Sequence, residues 1–144
     1  MRISYANLVA AAGTVIAGTG ADDPFYGPEN LRRPEKPFTP AKTTARGDRA
    51  WVIDFGAATA IDLFGIAHAN VTSITLQGNA TDAWGGPSYS QALTLARCPW
   101  TWRYQHTVLP SGGGSPFNYR FARLLVPDQV PVDGAPGYRI GGMW

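Results

Sequence analysis

A single cysteine, Cys98, occurs in the 144 residues, so no intramolecular disulfide can form and no thiolate metal cluster can be assembled. Cys98 reads as a buried small hydrophobe. Charge is scarce too. Asp, Glu, Lys and Arg make up 15% of the chain and the formal net charge is +2, against about 25% charged residues in ordinary soluble domains. So small a positive balance gives no ground for nucleic-acid binding. A surface this poor in charge fits one partly covered by partners. No apolar run approaches the roughly 20 residues that span a bilayer, so membrane insertion is not expected. Residues 8–17, behind Arg2, look like a weak signal-peptide core, but Gly13 and Thr14 interrupt it.

Catalytic signatures are equally thin. His68 and His106 are the two histidines, and neither lies in a metal-ligand spacing such as HExxH. His68 follows an apolar run and reads as a structural histidine. No GxSxG, P-loop or GxGxxG motif is present. The glycine run at 112–114 lacks the Lys-Ser/Thr and helix that a phosphate cradle needs. The expectation is a protein that is not an enzyme and uses no cofactor or metal.

Turn formers are abundant. Gly (17) and Pro (12) make up a fifth of the chain, against roughly 12% usually, which favours short strands joined by many turns. The length fits one domain over 1–144 with a single core. The centre of the chain, 51–78, reads WVIDFGAATAIDLFGIAHANVTSITLQG. Trp51, Ile53 and Phe55 alternate with Val52 and Asp54 until Gly56 stops the run. Apart from Asp62, residues 61–67 are apolar on both faces, and Ile74 and Leu76 alternate with Ser73, Thr75 and Gln77. Period-two alternation between turn residues predicts strands that bury at least one face.

Before this core, Thr14 to Ile16 predicts a first strand. Residues 21–50 then form a long stretch in which Pro24, Pro28, Pro34, Pro37 and Pro40 disfavour both helix and central strand. Phe25, Tyr26, Leu31 and Phe38 are the residues to fasten it to the domain. After the core comes a loop with Trp84 at its tip, then a short strand at Leu93 and Leu95. Trp102, Tyr104, His106 and Val108 mark another strand, residues 111–115 a flexible loop, and 119–126 a strong strand ended by Pro127. A loop over 127–137 precedes a short strand at 138–140. Seven or eight strands with irregular connections fit a sandwich better than a barrel.

Several motifs occur in a recognisable order. Asn30-Leu31 matches an "nL" turn, and residues 51–56 match a "W-hydrophobic-D-hydrophobic-G" strand. Residues 58–64 match "a-x-x-I-D-x-hydrophobic", 120–124 match "R-aromatic-x-R-hydrophobic", and 138–144 match "Y-x-I-G-x-hydrophobic-W". As a set they resemble the discoidin-like, galactose-binding-like family, especially its version in bacteriophage tail proteins. The resemblance runs from about Asn30 onward, and residues 79–118 match no pattern of the family. It implies an all-β, discoidin-like jelly-roll sandwich of about eight antiparallel strands with a long Pro-rich loop. Asp54 and Asp62 flank the turn at 56–60, and paired carboxylates about 5–9 Å apart can cleave glycosides. Both, however, coincide with strand positions of the family pattern, so turn hydrogen bonding is the better reading.

Two sets of side chains remain for function. Trp84, among Asp82, Gly85, Gly86 and Pro87, has no periodicity to bury it and is the first candidate for stacking on a sugar. Asp82 and Arg103 are its candidate hydrogen-bonding partners, with Tyr89 nearby in sequence. Trp100 and Trp102 read as packing or edge residues. The second set is a mildly basic arm over 21–50, with Phe25, Tyr26, Arg32, Arg33, Lys36 and Phe38 as candidate docking residues on a neighbouring subunit. Arg46-Gly47-Asp48 is too short to weigh. The sequons at Asn70 and Asn79 matter only in a eukaryotic secretory pathway. The primary expectation is therefore a structural virion component, a tail or tail-tip subunit assembled in the bacterial host cytoplasm. Its partners would be other tail proteins and, in a ring or other homo-oligomer, copies of itself. The alternative is a carbohydrate-binding module for host cell-surface glycans.

Overall fold

The computed structural model describes residues 9, 11, 15–20, 22–32, 40–61, 64–97, 104–108 and 117–143. Among them are eleven strands, one 3-10 turn at Pro28–Arg32 and no α-helix. The longer strands are β1 (Val15–Gly18), β3 (Arg49–Ile61), β4 (Phe64–Ala69), β5 (Ser73–Asn79), β6 (Tyr89–Thr94), β8 (Tyr104–Val108) and β9 (Phe117–Val126). Two-residue pieces complete the set: β2 (Ala41–Lys42), β7 (Ala96–Arg97), β10 (Arg139–Ile140) and β11 (Gly142–Met143). All pairings are antiparallel. A five-stranded sheet runs β1-β3-β9-β5-β6, a four-stranded sheet runs β11-β4-β8-β7, and β10 pairs with β2.

The core lies between the two larger sheets because each strand turns alternate residues inward. Trp51 and Ile53 of β3, Ile74 and Leu76 of β5, and Ala122, Leu124 and Val126 of β9 are buried from one side. Phe64 and Ile66 of β4 and Ile140 of β10 join them in one cluster. Tyr89, Phe117 and Tyr119 meet edge-on or tilted at ring separations of 5.4–6.3 Å. They do so over Gly78, where a Cβ would stand 2.6 Å from a Phe117 ring carbon. Only glycine leaves room for those rings on a central strand.

Three features differ from the sequence-based expectation. Gly56 does not end its strand. With φ of 81° and its N–H donated to Asp54 Oδ1 at 2.7 Å, it opens a bulge, and the β3–β9 ladder resumes at Thr59 opposite Tyr119. His68 lies inside β4, not after it. It adopts φ of 58° at the irregularity between Ile66 and Ala69, a left-handed conformation that histidine enters more readily than most residues.

The described part of the Pro-rich stretch is a third correction, because it is fixed to the body and is not an extended arm. Pro28 opens the 3-10 turn, where its missing N–H costs nothing, and Leu31 within that turn is fully buried. Backbone bonds run from Asp23 N–H to Lys42 C=O and from Lys42 N–H to Tyr26 C=O. Asn30 Nδ2 donates to Pro40 C=O, and Thr43 N–H donates to Tyr138 C=O. Phe25 fastens nothing, since it is 87% exposed. The Arg46-Gly47-Asp48 tripeptide is a pinned turn: Gly47 N–H donates to Asp128 Oδ1, and Asp128 N–H donates to Asp48 Oδ1.

Candidate functional site

The alternation that buries Trp51 and Ile53 turns Val52 and Asp54 to the outer face of the five-stranded sheet. Register aligns Val52, Arg123, Gln77 and Ser90 in one row across β3, β9, β5 and β6, and Asp54, Phe121 and Asn79 in the next. The loop at 80–88 leaves β5 at Asn79 and folds back over these rows. Asn79 shapes it: Nδ2 donates to Ala83 C=O at 2.6 Å, and Oδ1 accepts from Ala80 N–H at 3.0 Å and from Ser88 Oγ at 3.1 Å. Three bonds from one side chain over a short loop hold its tip in place.

At the tip, Trp84 Nε1 donates to Asp82 Oδ1 at 2.6 Å, and the Arg123 guanidinium sits 5.5 Å from the indole centroid. Beneath them lies a cleft of about 550 Å³, within the range of roughly 300–1,000 Å³ usual for small-ligand pockets. Val52, Phe121, Ala17 and Gly18 give it apolar surface, while Thr19, Asp54, Asp82 and Arg123 give it polar groups around Trp84. Asp54 is held by Arg120 through two bonds of 2.8 Å. That pairing outweighs desolvation and, with help from the Gly56 N–H, lowers the Asp54 carboxyl to about 2, and it raises Arg120. An aspartate so held stays ionised and cannot serve as the proton donor that glycoside cleavage requires. Its engagement with the Gly56 turn and Arg120 is the structural role expected of it.

Among the described residues the cleft thus holds two carboxylates, of which Asp54 is committed to Arg120 and Asp82 to the indole N–H. An aromatic ring, an apolar floor and converging hydrogen-bonding groups suit a molecule with both C–H faces and hydroxyls. Among the described residues no group of three or more His, Cys, Asp or Glu could hold a metal ion, and no helix is long and apolar enough to cross a membrane.

The sequence-based candidates divide. Trp84 and Asp82 come together in the cleft. Tyr89 does not join them: it is 8% exposed and belongs to the core with Phe117 and Tyr119, because its strand position points inward. Arg103, Asp62, Cys98, Trp100 and Trp102 lie outside the described residues, as do Arg33, Lys36 and Phe38. Of the remaining docking candidates, Tyr26 carries the Lys42 ammonium 3.4 Å from its ring centroid, and Arg32 pairs with Glu29 at 3.1 Å. Arg123 is the site residue missed. Its signal was available, since Phe121, Arg123 and Leu125 occupy the outward positions between Ala122, Leu124 and Val126.

No family model matches the chain, and no curated protein does. Solved structures do. A Ruminococcus gnavus GH29 fucosidase in complex with fucose matches 96% of this chain at 14% identity and a TM-score of 0.69. This chain spans 26% of that enzyme's length. The family 32 CBM from C. perfringens NanJ, in complex with galactose, matches at 11% identity and TM-score 0.63, covering 90% of each chain. The lectin domain of Lectinolysin, complexed with Lewis B antigen, matches at 8% identity and TM-score 0.67 over 98% of this chain and 96% of its own. Likenesses this deep in fold and this low in identity establish architecture, and the chain has the all-β, discoidin-like sandwich that its motifs implied.

Proposed function

We propose that this chain is a carbohydrate-binding module that acts by recognition and not by catalysis, with the saccharide seated in the cleft beneath Trp84. One observation carries this reading: the outer sheet face places an indole, an apolar floor and incompletely engaged polar side chains around a single cleft. Two full-length structural neighbours are described as bound to galactose and to Lewis B antigen, which supports the same reading. A sugar ring would lay a C–H face on the indole or on Phe121 and direct hydroxyls to Asp82, Thr19 and Arg123. Trp84→Ala is expected to weaken binding of a glycan-array hit at least tenfold, a loss typical of an interface anchor. Titration calorimetry measures it, with thermal unfolding as the control for fold. Unchanged affinity in a folded variant would sink the assignment of this cleft.

A second reading, a tail or tail-tip subunit of a bacteriophage, is compatible with the first. The order of sequence motifs favours it. So does exposed apolar surface at Phe25 (87%), Val130 (69%) and Val132 (44%), which a partner or another copy of the chain would cover. On this reading the protein is part of the virion. Mass spectrometry of purified virions is expected to find it at the stoichiometry of a structural protein, and its absence there would end the idea.

A further inference from the structure

We infer that the saccharide held beneath Trp84 is acidic, and that Arg123 reads its carboxylate. The inference rests on the carbohydrate-binding reading above and narrows it to a ligand class.

The charged groups around the cleft are unequally engaged. Arg120 is matched by Asp54 through two parallel bonds, so neither has much left to offer a ligand. Asp82 has one oxygen taken by the indole N–H of Trp84, and its other oxygen can accept from a sugar hydroxyl. Arg123 differs from these three. Among the described residues its guanidinium has no hydrogen bond and no carboxylate within 4.0 Å, and it lies over the face of Trp84. Its Nε is buried without an acceptor. Gln77, directly across the ladder, does not supply one, and its own Oε1 is also buried without a partner.

A guanidinium carries five N–H donors and no acceptor. One that lines a cleft with none of them engaged favours a ligand rich in acceptors. A carboxylate meets the need best, because two coplanar oxygens match the fork of the guanidinium and charge-assisted bonds are about twice as strong as neutral ones. The contact with Trp84 fixes the fork beside the surface on which the ring would stack, so a carboxylate on that ring reaches Arg123 without displacing the loop. Sugar acids, uronic or sialic, combine such a ring and such a group. Asp82, with one oxygen on the indole N–H, would accept from the ring's hydroxyls.

The test compares ligands in pairs. Tri-galacturonic acid and 3′-sialyllactose are each titrated beside their carboxyl-reduced counterparts into the wild-type protein and into Arg123→Gln and Arg123→Lys. At least one acidic sugar is expected to bind about tenfold or more tightly than its reduced partner, as a charged hydrogen bond implies. Arg123→Gln is expected to remove that preference by costing the acidic sugar about tenfold more affinity than it costs the reduced partner. Arg123→Lys should restore part of it, since it keeps the charge and loses the fork. Equal binding of both members of each pair, or binding confined to neutral array glycans, overturns the acidic ligand and leaves the carbohydrate-binding reading standing. Failure of every saccharide, array glycans included, overturns both.

Discussion

Leu31→Ala will lower stability by about 2–5 kcal/mol, the range for deleting a buried leucine side chain. For a domain of this size that is a fall of roughly 6–20 °C in melting temperature. Leu31 is fully buried in a 3-10 turn that packs against β1, β2 and β11. Besides its own 3-10 bonds and the Glu29–Arg32 pair, the turn is tied by the Asn30 side chain on Pro40 C=O. Without the leucine, the Pro-rich segment loses its buried apolar anchor and is left with its backbone bonds to residues 40–43. Phe25→Ala, a larger truncation six residues earlier on an 87% exposed side chain, should change stability by less than about 0.5 kcal/mol. Urea denaturation of the two variants measures the contrast. Equal small effects would mean that the stretch before β3 is peripheral after all.

Asn70→Asp should cost about 3 kcal/mol or more, because it buries a carboxylate where an amide donates. Asn70 is 6% exposed. Its Nδ2 donates to Asp133 Oδ1 at 3.0 Å and to Gly137 C=O at 3.2 Å, and its Oδ1 accepts from Arg139 N–H at 2.7 Å. One amide thus ties the end of β4 to the loop before β10. The substitution keeps the acceptor but turns a second oxygen toward the Asp133 carboxylate and a carbonyl. The penalty carries a pH signature. The introduced carboxyl would have a raised pKa in the folded state, so the variant recovers stability as pH falls and the group protonates. Unfolding curves at pH 7 and pH 4 test this. A variant as stable as the wild type at pH 7 would show that the network is incidental.

The parts of the fold legible in the sequence are those where local pattern and tertiary environment agree. In β5 the alternation of Ile74 and Leu76 with Thr75 and Gln77 becomes alternate burial, and β9 ends at Pro127 as expected. Gly56 was misread because a glycine marks either the end of a strand or a bulge within it, and only the partner strand decides. Residues 28–32 were misread because proline forbids the interior of a helix and not its first turn. Of the site, Trp84 and Asp82 were visible as polar and aromatic residues in a loop without periodicity. Arg123 was legible as an outward strand position, but its place beside Trp84 depends on the loop at 80–88 folding back over the sheet. Tyr89 was misassigned for the converse reason: it follows the loop directly, yet its strand position faces the core.

The pairing of β3 with β9 also sets when this protein can fold. Arg49 lies opposite Val126 and Ile61 opposite Phe117, so the central seam of the larger sheet joins segments more than fifty residues apart. Non-local pairing of this kind slows folding, because a long loop must close before any contact rewards it. On the ribosome, β3 has no partner along that seam until β9 has emerged. Nearly the whole sandwich must be synthesised before its central pairing can form, and a chain cut short of Val126 would expose the apolar face of β3 to aggregation.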